Sequence, residues 1–222
     1  MIKRSPILTY FTCIFTIFGF SMCKSSLSLK DANNITDKLY SAWIEQHKDS
    51  NKIAWTQKEI ANDNLRMKFD YKIYGDTPSD GRSLYISLHG GGNTPAEVND
   101  QQWKNQISLY KPQEGLYIAP RAPWNDWNMW FKPGIDQLFD ELIHLSIAME
   151  NVNPDKVYLL GYSAGGDGLY RMASRMADRW AAASMMAGHP GEALQVNLRN
   201  LPFMIWMGEN DAAYDRNKWA EK

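Results

Sequence analysis

The run Gly161-Tyr162-Ser163-Ala164-Gly165-Gly166 constrains this chain more than any other segment. It follows the apolar stretch Val157-Tyr158-Leu159-Leu160 and precedes a segment with helical spacing. A serine with glycines two residues before and two after, between a strand and a helix, marks a very tight chain reversal. The serine takes a strained backbone conformation there, and its neighbours have room only for hydrogen. The reversal lifts the serine Oγ clear of the sheet and points the next backbone N–H into the same space.

The rest of the chain supplies the strands and helices such a turn requires. Leu65, Met67, Phe69, Tyr71 and Ile73 alternate, which predicts a half-buried strand over 65–74. Short apolar strands are expected at Leu84–Leu88, Gly115–Pro120, Val157–Leu160, Ala181–Ala187 and Pro202–Met207. Between them, Thr94 and Pro95 read as the N-cap and first position of a helix. Ile135 to Met149 places Leu138, Leu142, Leu145 and Met149 on one helical face. A second such helix carries Leu169, Met172 and Met176. Strands alternating with helices predict an α/β fold with a mainly parallel sheet and helices on both faces.

Residues 1–23 differ from the remainder. Lys3 and Arg4 precede an apolar run from Ile7 to Phe20, the pattern of an export signal. Both cysteines, Cys13 and Cys23, fall in this segment, so the remaining domain is expected to hold no internal disulfide. Cys23 is either a lipid anchor at the cell envelope or part of a leader removed from a secreted or periplasmic protein. Residues 24–60 read as a solvated linker to about residue 34 followed by a helical segment, and 61–222 as one α/β domain. The net charge is −1 and no basic block occurs, which gives no reason to expect nucleic acid as a partner.

Three further groups fall at strand ends. His89-Gly90-Gly91-Gly92 closes the Leu84–Leu88 strand, and its glycines let backbone N–H groups approach a substrate oxygen. Gly208-Glu209-Asn210-Asp211 closes the last apolar strand, where an acid can orient an imidazole; Asp211 is the first choice and Asp215 the second. Trp124, Trp127 and Trp130 lie on a Pro- and Asn-rich loop after a central strand. They form either an apolar or sugar-stacking pocket wall or a cover for the core.

Taken together, Leu88 to Gly92, Ala119 to Pro123, Gly161 to Gly165 and Gly208 to Asp211 resemble the α/β-hydrolases. The likeness is to secreted bacterial carboxylesterases, phospholipase/carboxylesterases, feruloyl and acetyl-xylan esterases and polyhydroxybutyrate depolymerase-like proteins. The resemblance implies Ser163 as nucleophile, Asp211 as the triad acid, and Gly91, Gly92 and Ala164 as oxyanion-hole donors. It implies neither a metal nor an organic cofactor, and a small-molecule or polysaccharide-linked ester as substrate. Ala119 to Pro123 with Met129-Trp130-Phe131 is similar to a carboxylesterase segment beside the acyl pocket, although Lys132 stands where an acid is common.

The triad histidine is out of place. In the family it follows the acid, and no histidine follows Asp211. His89 reads as a structural residue at the pocket, and His189 as either a displaced base or a pocket-lining residue. The last helix expected, Tyr214 to Lys222, is short, and the usual final strand and helix are missing, so a C-terminally truncated chain is expected, with its base beyond Lys222. A serine carboxylic-ester hydrolase is the expected activity. A serine peptidase of the same fold and a non-catalytic binding protein are the alternatives.

Overall fold

The computed structural model describes residues 27–221, so the export-signal and cysteine readings lie outside the described residues. The described residues fall into two compact units, 27–43 and 44–221. Helix α1 (Leu29–Gln46) begins within the stretch expected to be a linker, and α2 (Lys48–Gln57) follows it. The boundary between units therefore lies well before residue 60. The larger unit takes in α2 and strand β1 (Glu59–Asn62) as well as the expected domain. The buried Trp55 of α2 explains why: its ring packs 5.5 Å from Phe69 and 4.4 Å from Tyr71, on the sheet itself.

The larger unit is built on a seven-stranded sheet in the order β1-β2-β4-β3-β5-β6-β7. Strands β2 (Leu65–Tyr74), β3 (Arg82–Leu88), β4 (Gly115–Pro120), β5 (Val152–Tyr162), β6 (Ala182–Met186) and β7 (Phe203–Trp206) match the expected runs closely. From β4 to β7 the pairing is parallel; β1 and β2 add an antiparallel edge. Helix α4 (Ile135–Glu150) buries Leu138, Leu142 and Leu145, and α5 (Ala164–Arg175) buries Leu169 and Met172, as their spacing predicts. Helix α3 (Ala96–Gln106) departs from expectation. Pro95 takes the cap position, Thr94 Oγ1 is buried without a partner, and the helix buries Asn99 and Gln106 rather than apolar residues.

Coverage of the two sheet faces is uneven. Val157, Leu159, Ala183 and Met185 are buried on the side of α4 and α5. On the other face α3 reaches β3 through the Gln106 amide, which donates to Ser87 Oγ at 2.6 Å. Beyond it, Tyr85, Tyr158, Leu160, Ser184 and Met204 line an apolar groove of about 500 Å³. Strand β7 is an edge whose Met204, Ile205 and Trp206 are all exposed. An uncharged apolar edge templates further strand pairing.

Candidate active site

Ser163 occupies the turn between β5 and α5 with φ 55 and ψ −121, a conformation that L-residues rarely hold and glycine holds freely. Two hydrogen bonds and two close backbone contacts keep it there. Its N–H donates to the Met186 carbonyl at 2.9 Å, and its own carbonyl accepts the Asp167 N–H at 3.0 Å. A Cβ on Gly161 would overlap the Gly165 carbonyl, and one on Gly165 would overlap the Leu88 carbonyl. The turn thus lies flat against the end of β3. Ser163 Oγ makes no hydrogen bond among the described residues, and Ser163 lines a cleft of about 840 Å³. Gly91, Gly92, Trp127, Ala164, Asp167, His189, Asp215, Arg216 and Trp219 share that cleft.

The triple-glycine segment turns beside the serine, with Gly90 held so close that a Cβ there would lie 3.2 Å from Ser163 Cβ. The two expected donors of this loop differ. Gly92 N–H donates to Asn99 Oδ1 at 2.8 Å, which removes it as a free donor. Gly91, at φ 104, forms no such bond among the described residues. Ala164, as the first residue of α5, has an N–H with no acceptor inside the helix. Gly91 and Ala164 both line the cleft and their N–H groups have no acceptor among the described residues, and the helix N-terminus adds its own positive potential.

Asn99 was not legible as a site residue. It is fully buried, and its amide donates to the Thr94 carbonyl at 3.1 Å and to Asn125 Oδ1 at 3.2 Å. One side chain thereby ties the glycine loop to the Trp-bearing loop. Arg121 reinforces the tie, donating to Asp100, Asn125 and the carbonyls of Ala122 and Trp124.

His89 does not line the cleft. It has no exposed surface, and both ring nitrogens are engaged inside the protein. Nε2 accepts the Ala122 N–H at 3.1 Å, so Nδ1 carries the proton that it donates to the Gly90 carbonyl at 2.7 Å. Burial pushes its pKa down to about 4. It is a clamp between the end of β3 and the Trp-bearing loop, and the expectation of a pocket position fails because the ring points into the core.

The three tryptophans separate in the same way. Trp130 is fully buried, edge-on to His89 at 5.0 Å, and its Nε1–H donates to the His89 carbonyl at 3.0 Å. Trp124 is half-buried on the core beneath Lys132 Nζ, 5.3 Å from its ring centre. Only Trp127 reaches the cleft, 60% exposed and edge-on to Phe131.

His189 and the acid are placed as follows. His189 lines the cleft, with Trp219 edge-on at 5.5 Å. Its main-chain N–H donates to Asp167 Oδ1 at 2.6 Å, and its Nδ1 accepts the Gly191 N–H at 2.9 Å. Asp211 does not line the cleft. Its carboxylate stands 3.8 Å from Arg216 Nη1 and touches no imidazole among the described residues. Asp215 does line it, and is paired with Lys218 at 2.9 Å. Asp167, for which the sequence carried no expectation, is the half-buried acid of the site. Burial raises its pKa, against the opposing effects of the His189 N–H, Arg216, the His189 ring and Arg171. Its signal was its place one helical turn after the serine, in the first turn of α5.

No protein-family model matches the chain, and no curated protein matches it. Solved structures do. A thermostable esterase aligns with 70% of this chain and 46% of its own at 17% identity, with a TM-score of 0.57. A poly(3-hydroxybutyrate) depolymerase from Bordetella parapertussis aligns with 68% of this chain and 63% of its own at 19% identity, TM-score 0.49. A ferulic acid esterase aligns with 59% of this chain and 58% of its own at 18% identity, TM-score 0.43. The chain spans about half the length of that thermostable esterase. With its parallel β4-β3-β5-β6-β7 order and a serine at the β5–α5 turn, the chain has the α/β-hydrolase fold.

Proposed function

We infer that this chain is a serine hydrolase of carboxylic esters that works through an acyl-enzyme on Ser163. The observation that carries the reading is the left-handed serine at the strand–helix turn, its Oγ unbonded in a cleft lined by two residues whose N–H groups have no acceptor among the described residues. Ser163 Oγ attacks the ester carbonyl carbon, and the carbonyl π electrons move to oxygen. That oxygen is caught by the N–H groups of Ala164 and Gly91, each such donor being worth about 3 kcal/mol in the transition state. Collapse expels the alcohol, and water hydrolyses the acyl-enzyme. The name of the structural neighbour that aligns at a TM-score of 0.57, a thermostable esterase, supports this reaction class. A small-molecule or polysaccharide-linked ester is the proposed substrate, and the pattern of residues 1–23 supports export of the protein, with Cys23 as lipid anchor or leader residue.

The proton acceptor is the open position in this scheme. His89 has both ring nitrogens committed, and His189 has its Nδ1 lone pair committed to Gly191. With that commitment the neutral His189 ring carries its proton on Nε2, the wrong tautomer for a base acting from Nε2. Neither His89 nor His189 is set to act as that base, and Asp211 is the proposed acid of the triad. Both Asp211 carboxylate oxygens are free of hydrogen bonds among the described residues, and the Arg216 contact is too long to be one. The same commitments favour a second reading, a hydrolase-like binding protein without a base.

Labelling with a fluorophosphonate separates the two. The hydrolase reading expects one phosphonyl adduct on Ser163 by peptide mass spectrometry, and none in Ser163→Ala. A folded chain that stays unlabelled would leave the binding-protein reading.

A further inference from the structure

The loop after β6 holds His189 in the Ser163 cleft in one tautomer. Asp167 Oδ1 accepts its main-chain N–H at 2.6 Å, and Gly191 N–H donates to its Nδ1 at 2.9 Å. A ring nitrogen that accepts an N–H carries no proton, so the neutral imidazole bears its hydrogen on Nε2. That Nε2–H has no hydrogen-bond partner among the described residues, and the ring belongs to the cleft wall. The backbone beneath it is closely packed. Ala187 takes φ 49, and a Cβ on Gly188 would lie 2.8 Å from Gly166 Cα and 2.9 Å from the Asp167 nitrogen. The donor is therefore mounted on the first turn of α5, the same turn that carries Ser163. Two indoles share the wall with it, Trp219 edge-on to the imidazole at 5.5 Å and Trp127, alongside the charged Asp167, Asp215 and Arg216.

We propose that His189 is a specificity-determining residue: its Nε2–H donates to an acceptor oxygen that the ligand carries outside its ester group, on an apolar ring or chain that packs against Trp127 and Trp219. Asp167 is the positioning residue that fixes the His189 backbone. The proposal rests on the cleft being the ester site and deepens that reading. It favours esters with an ether or hydroxyl oxygen on the acyl or alcohol part over hydrocarbon esters of the same shape.

Two isosteric pairs test it: tetrahydropyran-4-yl acetate against cyclohexyl acetate, and methyl tetrahydropyran-4-carboxylate against methyl cyclohexanecarboxylate. Each pair differs by one ring oxygen in place of CH2, on the alcohol or the acyl side. Dissociation constants are read from tryptophan fluorescence in the Ser163→Ala background, so that turnover does not intervene. A neutral hydrogen bond is worth about a 3- to 10-fold preference. In at least one pair the preference for the oxygen compound should drop by that factor in His189→Phe. It should survive in part in His189→Gln, whose amide N–H has similar reach. The ring 15N shifts of His189 should show Nδ1 unprotonated and Nε2 protonated. A protonated Nδ1, an unchanged preference in His189→Phe for both pairs, or no saturable quenching by any of the four compounds would overturn the proposal. A preference that stands while Ser163 of the unmutated protein resists phosphonylation removes the hydrolase reading and leaves the donor site. The converse removes only the role of His189.

Discussion

Gly165→Ala is expected to prevent the chain from reaching its folded state. A Cβ at this position would overlap the Leu88 carbonyl oxygen and lie 2.8 Å from the Leu88 carbonyl carbon and 2.9 Å from the His89 carbonyl oxygen. All three atoms are backbone, so no side-chain rotation relieves them. Relief would require α5 to move away from β3, and that would break the contact that sets the Ser163 turn. Overpacking of a flexible core costs about 1–3 kcal/mol, and a rigid backbone neighbour puts the cost above that range, at more than about 4 kcal/mol. Total stabilities of single domains are roughly 5–15 kcal/mol. Gly208→Ala is the control, because a Cβ there meets only Asp211 Cβ at 3.8 Å. Circular dichroism and urea melts should show Gly165→Ala largely unfolded, with phosphonate labelling lost in step, and Gly208→Ala close to the parent. A folded Gly165→Ala would mean that α5 is not seated on β3 as described.

The same contact explains why so much of the fold was legible. A serine bracketed by glycines can sit between a strand and a helix only if the helix end is pressed on the neighbouring strand. Strands β3, β4 and β5 were readable because Leu84, Ile86, Leu116, Ile118, Val157 and Leu159 are buried and apolar. Helix α3 was harder. Its buried residues are Asn99 and Gln106, held by hydrogen bonds to the glycine loop and to Ser87, so no apolar stripe marked its inner face. The site divides along the same line. Ser163, Ala164 and Gly91 are set by local backbone geometry, which a motif carries. Gly92 lost its free N–H to a side chain on a later helix. His89, Trp124 and Trp130 were placed near the pocket because their loops lead there, but a loop's position does not say which way an imidazole or indole turns. Asp167 acts through the main chain of a residue on another loop, a pairing that spacing along the chain does not encode.

Acid should destabilise the protein through His89, and replacing that histidine should remove the effect. The folded state holds the ring neutral, with its pKa at about 4, because it is buried and because Nε2 accepts the Ala122 N–H. The unfolded chain returns it to the ordinary value near 6.5. Between those values the unfolded chain binds a proton that the folded chain refuses, so stability is full above about pH 6.5 and falls as the pH drops towards 4. The shift corresponds to about 3 kcal/mol over that window. Asp167 acts in the opposite sense, since its raised pKa lets the folded state take up a proton before the unfolded chain does. Wild-type melts alone would therefore blend the two groups. His89→Phe separates them by keeping a ring edge against Trp130 while removing the titration. At pH 7 it should cost about 2–4 kcal/mol, because the Ala122 N–H and the Gly90 carbonyl lose their partner in the interior. On going from pH 7 to pH 4 the gap between wild type and variant should narrow by about 3 kcal/mol. A gap that stays constant across that range would show that the imidazole titrates freely and that the clamp between β3 and the Trp-bearing loop is not closed in solution.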